Sequence, residues 1–445
     1  MVLERLKAFG SKSLGRFVAK GSVTRNITLI AGGTIIGQAA TLVVLPLLTR
    51  LYTPADFGAM AIFLALLVPL NAVASLRYEM AIPLPDNERD AQHLLMLSLV
   101  IVVVLSGLLA LLVVFFAEAL LTRINGTALL GYLWLLPIAL FGGGCYHALS
   151  HYAIRVQAFR TIAITKISQG VGQGVTQAAL GLAGIGLSGL LLGLVVRFWG
   201  GMVALVKLVV RDVREQAWQL RRSELTRVAV VYKRFPMFSS GGTFLQMLSM
   251  HLPSLLLAAV YSAQVAGWFS LGQRVLEAPI NLLAKSAAQV YLGAASKIKR
   301  DNPKALRGFY QKMLLRQTAL SLPLMLLAML PAPWLFPWLF GEAWQVAGYY
   351  VQSLALMFFL QFLAQTVAVE TLTLVDKQDW FLFSEIAKAV CVLAVFVLAW
   401  YLDLPARATV LMYGLLMSVI YALYLLFAWQ QTGRVAHDEK HPMAS

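Results

Sequence analysis

RDVREQAWQLRRSELTRVAVVYKRF, residues 211–235, carries more basic charge than any other connection in a chain that is otherwise strongly apolar. Its cations interleave with Val, Ala and Trp, the pattern of an amphipathic helix lying along a membrane surface. Six apolar windows precede it, near 26–50, 57–76, 94–117, 128–149, 163–185 and 187–209. Six follow, near 237–260, 265–295, 316–340, 346–373, 381–402 and 407–430. A helix of about twenty apolar residues crosses roughly 30 Å of hydrocarbon. The expected fold class is therefore an all-α polytopic membrane protein with twelve transmembrane helices in two six-helix lobes. The implied divisions are a basic N-terminal segment (1–25), an N-lobe (26–210), an amphipathic linker (211–233), a C-lobe (234–430) and a tail (431–445).

Composition agrees. With 60% hydrophobic and 13% charged residues, the 445-residue chain is too apolar for soluble domains. Residues 1–25 are basic but lack the compact apolar core of a signal peptide, so they read as a cationic segment on anionic lipid.

The connections test the helix count, because Lys and Arg accumulate on the cytoplasmic side. The two termini, every second loop and the adjoining helix ends hold 29 of the 36 Lys and Arg residues. The opposite loops hold Arg50, Arg123 and Arg407, and Arg197, Arg274, Lys285 and Lys388 lie within spans. A missed helix would scramble that alternation, so twelve spans with both termini in the cytoplasm is the expectation. The net charge of +16 is then the inner surface facing anionic lipid, and no nucleic-acid partner is implied. In PAPWLFPWLFGEAW (331–344), Trp334, Trp338 and Trp344 suit a headgroup-level aromatic belt.

The two halves share a faint echo. YTPADFG (52–58) joins the first two spans and YSAQVAG (261–267) joins the seventh and eighth, with the Tyr-to-Gly spacing conserved between them. Parallel repeats about an axis normal to the membrane produce such an echo and place a substrate between the halves.

Three stretches carry a family resemblance: LPLLTRLYTPADFGAMAIFLALL (45–67), ASLRYEMAIPLPD (74–86) and LFGEAWQVAGYYVQSLALMFFLQFL (339–363), which include Arg50, Arg77 and Glu79. Together they resemble the polysaccharide-transporter family of Wzx-type oligosaccharide-lipid flippases, within the multidrug/oligosaccharidyl-lipid/polysaccharide exporter superfamily. The resemblance implies two bundles in a V, open alternately to each side of a bacterial cytoplasmic (inner) membrane. It implies movement of undecaprenyl-pyrophosphate-linked repeat units to the outer leaflet for O-antigen, capsule or exopolysaccharide. A polysaccharide polymerase and a chain-length regulator are the further candidate partners.

Candidate site residues come from helix geometry. In GQRVLEAPINLLAKSAAQVYL (272–292), Arg274, Asn281 and Lys285 fall within about 40° of one another at 100° per residue. Glu277 and Gln289 flank them, so one face of the eighth span is a polar stripe. Such a stripe must face protein or water, since a charge at the bilayer centre costs about 2.5–3.5 kcal/mol on insertion scales. An Arg274–Glu277 pair that only fixes packing is the plain alternative, but it leaves Lys285 without a partner. In GLSGLLLGLVVRFWGG (186–201), Gly189, Gly193 and Arg197 share one face, as a packing seam or as a cavity wall bearing a cation. Gln169, Gln173 and Gln177 on the fifth span would either contact sugar hydroxyls or knit helices together. Glu385 and Lys388 read as a local ion pair one turn apart.

Cys145 and Cys391 lie in apolar runs and read as small hydrophobes with no disulfide or metal role. His147 and His151 stand one turn apart without nearby carboxylates, which favours a structural role over metal binding. No catalytic residue and no cofactor is expected, and Glu277, the deepest carboxylate, is the candidate for coupling to H+ or Na+. The competing functions are an ion-coupled drug or metabolite antiporter and a membrane-embedded polymerase or ligase. An enzyme would need a sizeable outer loop, and none here exceeds about ten residues by this reading.

Overall fold

The computed structural model describes residues 23–438 apart from 217, 220 and 376–378. The side chains at 23–27, 279, 281–283, 285–286, 379–382 and 435–438 also lie outside the described residues. Most of the basic segment 1–25, part of the 431–445 tail, and the side chains of Asn281 and Lys285 are thus outside the description.

The chain is helical throughout, with no strand among the described residues. In order, the helices are α1 (Val23–Leu51), α2 (Pro54–Ala72), α3 (Glu88–Arg123), α4 (Leu135–Arg155), α5 (Phe159–Leu182), α6 (Leu187–Trp199), α7 (Met202–Gln216) and α8 (Arg222–Val231). Then come α9 (Ser240–Val260), α10 (Ala263–Asp301), α11 (Leu306–Met329), α12 (Ala332–Phe340), α13 (Gln345–Leu363), α14 (Val369–Leu374), α15 (Asp379–Tyr401) and α16 (Ala406–Asp438).

Each apolar window of the sequence coincides with a helix or a broken helix. Among the described residues, eight helical segments are long and apolar enough to cross a membrane, within α1, α2, α3, α6–α7, α9, α13–α14, α15 and α16. A ninth is the pair α11 and α12, bent by 63°. Three further windows, at α4, α5 and α10, are helices that do not reach that apolarity. Polar stripes lower the average of α5 and α10, and in α4 Gly142, Gly143, Gly144, His147 and His151 do so.

Local chemistry explains several boundaries. Thr53 caps α2 in a reciprocal capping box with Asp56, and Ser262 caps α10 by accepting the Val265 N–H at 3.2 Å. The window 187–209 is two helices, because Gly200 and Gly201 interrupt it, with Gly201 at φ +79°. The basic linker is not one amphipathic helix: α7 runs into it as far as Gln216, and α8 forms a separate short helix.

Helices α1–α7 pack among themselves, as do α9–α16, and the two groups meet chiefly where α2 lies against α9 and α10. The YTPADFG and YSAQVAG segments form that meeting point. A Cβ on Gly58 would fall 1.6 Å from the Ala263 carbonyl oxygen, and one on Gly267 would fall 1.8 Å from the Pro54 carbonyl oxygen. The faint sequence echo is therefore a reciprocal backbone crossing, which only glycine permits.

Around this crossing the same end of the molecule is sealed. The Trp344 indole donates to the Thr49 carbonyl at 2.9 Å and meets the Phe57 ring edge-on at 4.9 Å. Asn125 donates to the Ala258 and Ala259 carbonyls at 3.2 and 3.0 Å, and Arg50 reaches the Trp338 carbonyl at 3.5 Å. Trp344 thus departs from the aromatic-belt expectation: it is 1% exposed, against 75% for Trp334 and 74% for Trp338. An indole buried between helices needs a partner for its N–H, and Thr49 supplies one.

Candidate functional site

Arg197 and Arg274 come from different helix groups and converge across α2. The Arg197 guanidinium donates to Gln173 Oε1 at 3.2 Å, and the Gln173 amide donates to Gln177 Oε1 at 3.4 Å. Gln177 Nε2 donates to the Leu190 carbonyl at 2.9 Å and lies 3.9 Å from Met60 Sδ. From the other side, Arg274 Nη2 lies 3.7 Å from the same sulfur. The two guanidiniums are within electrostatic range of each other. Neither has a carboxylate within ion-pair distance among the described residues.

The helices enforce this arrangement. Gln173 and Gln177 follow at i,i+4 on α5, and Gly193 on α6 packs directly on Gln177, where a Cβ would lie 2.3 Å from its side chain. The small residue lets α5 and α6 approach closely, and the approach carries Arg197 onto Gln173. Gly189, Gly193 and Arg197 are thus both a packing seam and the support of an arginine. Arg197 is exposed although it stands within a span, while Arg274 is half-buried.

Gln173 and Gln177 are buried at 3% and 2% exposure, with their amides engaged within the protein. They hold Arg197, and in this arrangement they offer little to a sugar. Gln169 is half-buried against Gly200.

The alternative Arg274–Glu277 ion pair is not formed at ion-pair distance, although the two charges lie within electrostatic range of each other. Glu277 accepts a 2.7 Å hydrogen bond from Gln273 and turns instead into a cavity of about 520 Å³ enclosed by α9, α10, α13, α15 and α16. Spacing fixed the 60° between the two side chains but not their neighbours: α2 lies on the Arg274 side and the cavity on the other. Glu385 and Lys388 line the same cavity as an ion pair at 2.5 Å, as their spacing predicts. Gln361, Gln365 and Tyr413 complete its polar wall. Sequence reasoning missed this cavity, and it missed His251 on α9, which is within electrostatic range of Arg274. A lone histidine in the apolar run around Pro253 was the available signal.

Of the motif residues, Arg50 belongs to the sealed end described above. Arg77 and Glu79 lie at the opposite end, 3.9 Å apart, with Glu79 buried and accepting the Ser75 hydroxyl. Burial raises the Glu79 carboxyl pKa above its ordinary value, against the opposing pull of the Ser75 hydroxyl and of Arg77. His147 accepts the Asn71 amide N–H at 3.2 Å. No group of three or more metal-ligating side chains is present among the described residues. Cys145 and Cys391 are free thiols.

The chain's residues 47–349 match the family model described as "Polysaccharide biosynthesis protein". Among solved structures it is similar to an inward-facing multidrug resistance MATE family transporter of the MOP superfamily, with a TM-score of 0.62 at 16% identity over 94% of this chain and 96% of that one. It is also similar to the lipid II flippase MurJ in an inward closed conformation, with a TM-score of 0.63 at 12% identity over 93% and 90%. An outward-facing MATE transporter matches with a TM-score of 0.53 at 13% identity over 93% and 97%. No curated protein sequence matches. At these identities the likeness establishes the fold, which is that of the MOP superfamily transporters.

Proposed function

This chain belongs to the polysaccharide biosynthesis protein family, and from that premise we propose that it is a flippase for undecaprenyl-pyrophosphate-linked oligosaccharide. It works by alternating access between two six-helix lobes in a V, with twelve crossings, both termini cytoplasmic, in a bacterial inner membrane. It serves O-antigen, capsule or exopolysaccharide assembly beside a polymerase and a chain-length regulator, and it makes or breaks no bond.

One observation carries the reading: Arg197 and Arg274 approach from opposite lobes, and neither has a carboxylate at ion-pair distance among the described residues. Two cations at depth without an ion-pair partner are costly, and a pyrophosphate is a ligand that relieves that cost. Arginine offers a planar donor fork that replaces phosphate hydration directly. The prenyl tail stays in lipid and trails through a gap between the lobes. The crossing of Gly58 and Gly267 is the outer gate, closed here, and its parting would open the site outward.

Glu277 supports coupling. Its carboxylate faces the C-lobe cavity, is held by an amide and lies within electrostatic range of Arg274, so a proton or sodium ion that neutralises it also changes the field at that guanidinium. The same carboxylate is what a cation-coupled antiporter would use, and this keeps the drug or metabolite exporter as the second reading. Reconstitution separates them. Proteoliposomes holding the pure chain should move an undecaprenyl-pyrophosphate-linked oligosaccharide between leaflets, whereas a drug exporter would move only organic cations.

A further inference from the structure

The central site offers little to the sugar of a lipid-linked repeat unit. Gln173 and Gln177 are committed to Arg197 and to the Leu190 carbonyl. The C-lobe cavity offers what they do not. Gln246 on α9, Gln361 on α13 and Gln365 just beyond it line that cavity, together with Tyr413, Tyr421 and Tyr424 along one face of α16. All six are half-buried, and none of their side chains makes a hydrogen bond with a described residue. Amides and phenols inside a protein are ordinarily paired, because an unpaired polar group removed from water is costly. Here three of each converge on one space of about 520 Å³, within the range of about 300–1,000 Å³ typical of small-molecule pockets.

The backbone adds an independent sign. Between α13 and α14 the chain widens into a π turn, Ala364–Ala368, and Ala364, Gln365 and Val369 all face the cavity. Single π turns inside α-helices are frequent at functional sites. The Thr366 hydroxyl donates to the Phe362 carbonyl at 2.9 Å, so the two glutamines are not consumed in mending the turn.

Charge decides which ligand suits this space. Among the described lining residues Glu277 and Glu385 face Lys388 alone, and the Lys388 ammonium is taken by Glu385 at 2.5 Å. Carboxylates in excess repel a phosphate. Glutamine amides both donate and accept, which matches neighbouring hydroxyls on a sugar ring, and tyrosine adds an apolar ring face beside its hydroxyl. The cavity also borders the central site. Gln273 lines it and Arg274 is the next residue; Met250 lines it and the next residue, His251, is within electrostatic range of Arg274.

We propose that the C-lobe cavity is a sugar subsite, in which Gln246, Gln361, Gln365 and Tyr413 hold a neutral sugar ring of the repeat unit while Arg197 and Arg274 hold its pyrophosphate. This rests on the flippase reading and deepens it, by assigning substrate selection to the C-lobe. A site built on hydrogen bonds to hydroxyl groups rejects a sugar that lacks one of them, because its own polar groups are then left unpaired.

The test is equilibrium binding to the full chain in nanodiscs with two probes. One is undecaprenyl pyrophosphate, and the other is the undecaprenyl-pyrophosphate-linked repeat unit extracted from the producing strain. The sugar-bearing lipid should bind about ten-fold or more tightly than the bare one. Gln361→Met combined with Gln365→Met keeps the side-chain volume and removes both amides. It should weaken the sugar-bearing lipid about ten-fold and leave the bare lipid within about two-fold of wild type. Tyr413→Phe, which removes a single oxygen atom, should cost a few-fold with the same selectivity. Arg274→Gln should weaken both probes alike. Because the two amides have no partner in the protein, the double variant should melt no lower than wild type. Variants that melt as wild type does and keep the full preference for the sugar-bearing lipid would overturn the subsite. Equal affinity of the wild-type chain for the two probes would overturn it as well and leave the central site standing. A wild-type chain that binds neither probe would instead defeat the underlying flippase reading.

Discussion

Gly58 and Gly267 occupy equivalent places in the two halves of the chain and pack across their boundary, each against the backbone of the helix that bears the other. A methyl group at either position would overlap backbone rather than a flexible side chain, so the helices themselves must move apart. Overpacking of that kind costs about 1–3 kcal/mol. Because the strain exists only while the outer end is shut, Gly267→Ala should shift the population toward the outward-open state. A cysteine at Ala263 should then react with impermeant reagents from outside several-fold faster than in the Gly267 background. Equal labelling rates would mean that this crossing is not the gate.

Trp344 closes the same end by a different interaction. Trp344→Phe keeps most of the ring but removes the donor to Thr49, and a lost buried hydrogen bond costs about 1 kcal/mol. Trp344→Ala also empties a fully buried site and should cost about 3–5 kcal/mol. Thermal denaturation of the purified protein should rank the variants wild type, Phe, Ala. An alanine variant as stable as wild type would contradict the buried placement.

The contrast among the tryptophans shows where sequence reading stops. Helix positions were legible because hydrocarbon demands long apolar runs, and the apolar windows located even α4, α5 and α10 as helices. Which ring of an aromatic run faces lipid is decided by neighbours, so Trp344 was misassigned beside Trp334 and Trp338. The same limit applied to Arg274 and Glu277. Their angular separation follows from spacing, but the α2 helix and the C-lobe cavity that draw them apart are tertiary features. Met60 gave no signal at all, since a methionine in an apolar helix is ordinarily core. Gln173 and Gln177 were found by periodicity, and only the packing of Gly193 showed that they brace an arginine.

Topology can be read by labelling single cysteines in intact cells. Arg222 in the linker, Asp301 at the end of α10 and Glu342 before α13 are all exposed. A cysteine at Glu342 should react with membrane-impermeant maleimide, and those at Arg222 and Asp301 should react only after permeabilisation. Labelling of Arg222 or Asp301 positions in intact cells would overturn the twelve-crossing arrangement.

Glu277→Gln preserves the shape of the side chain and its contact with Gln273 while removing the charge. Because Glu277 lies within electrostatic range of Arg274, head-group binding should be at least as tight, and the ion dependence of transport should be lost. Flipping measured with and without an imposed proton or sodium gradient reports this directly. Full transport with an unchanged ion requirement would exclude Glu277 as the coupling group.

The most direct test of the central claim is complementation of a strain deleted for this protein, scoring surface polysaccharide beside the amount of protein in the membrane. Arg274→Ala and Arg197→Ala should each abolish polysaccharide at normal protein abundance. Arg274→Lys should restore only part of it, because the charge returns without the donor fork. Normal polysaccharide from both alanine variants would contradict a cationic site for the pyrophosphate head group.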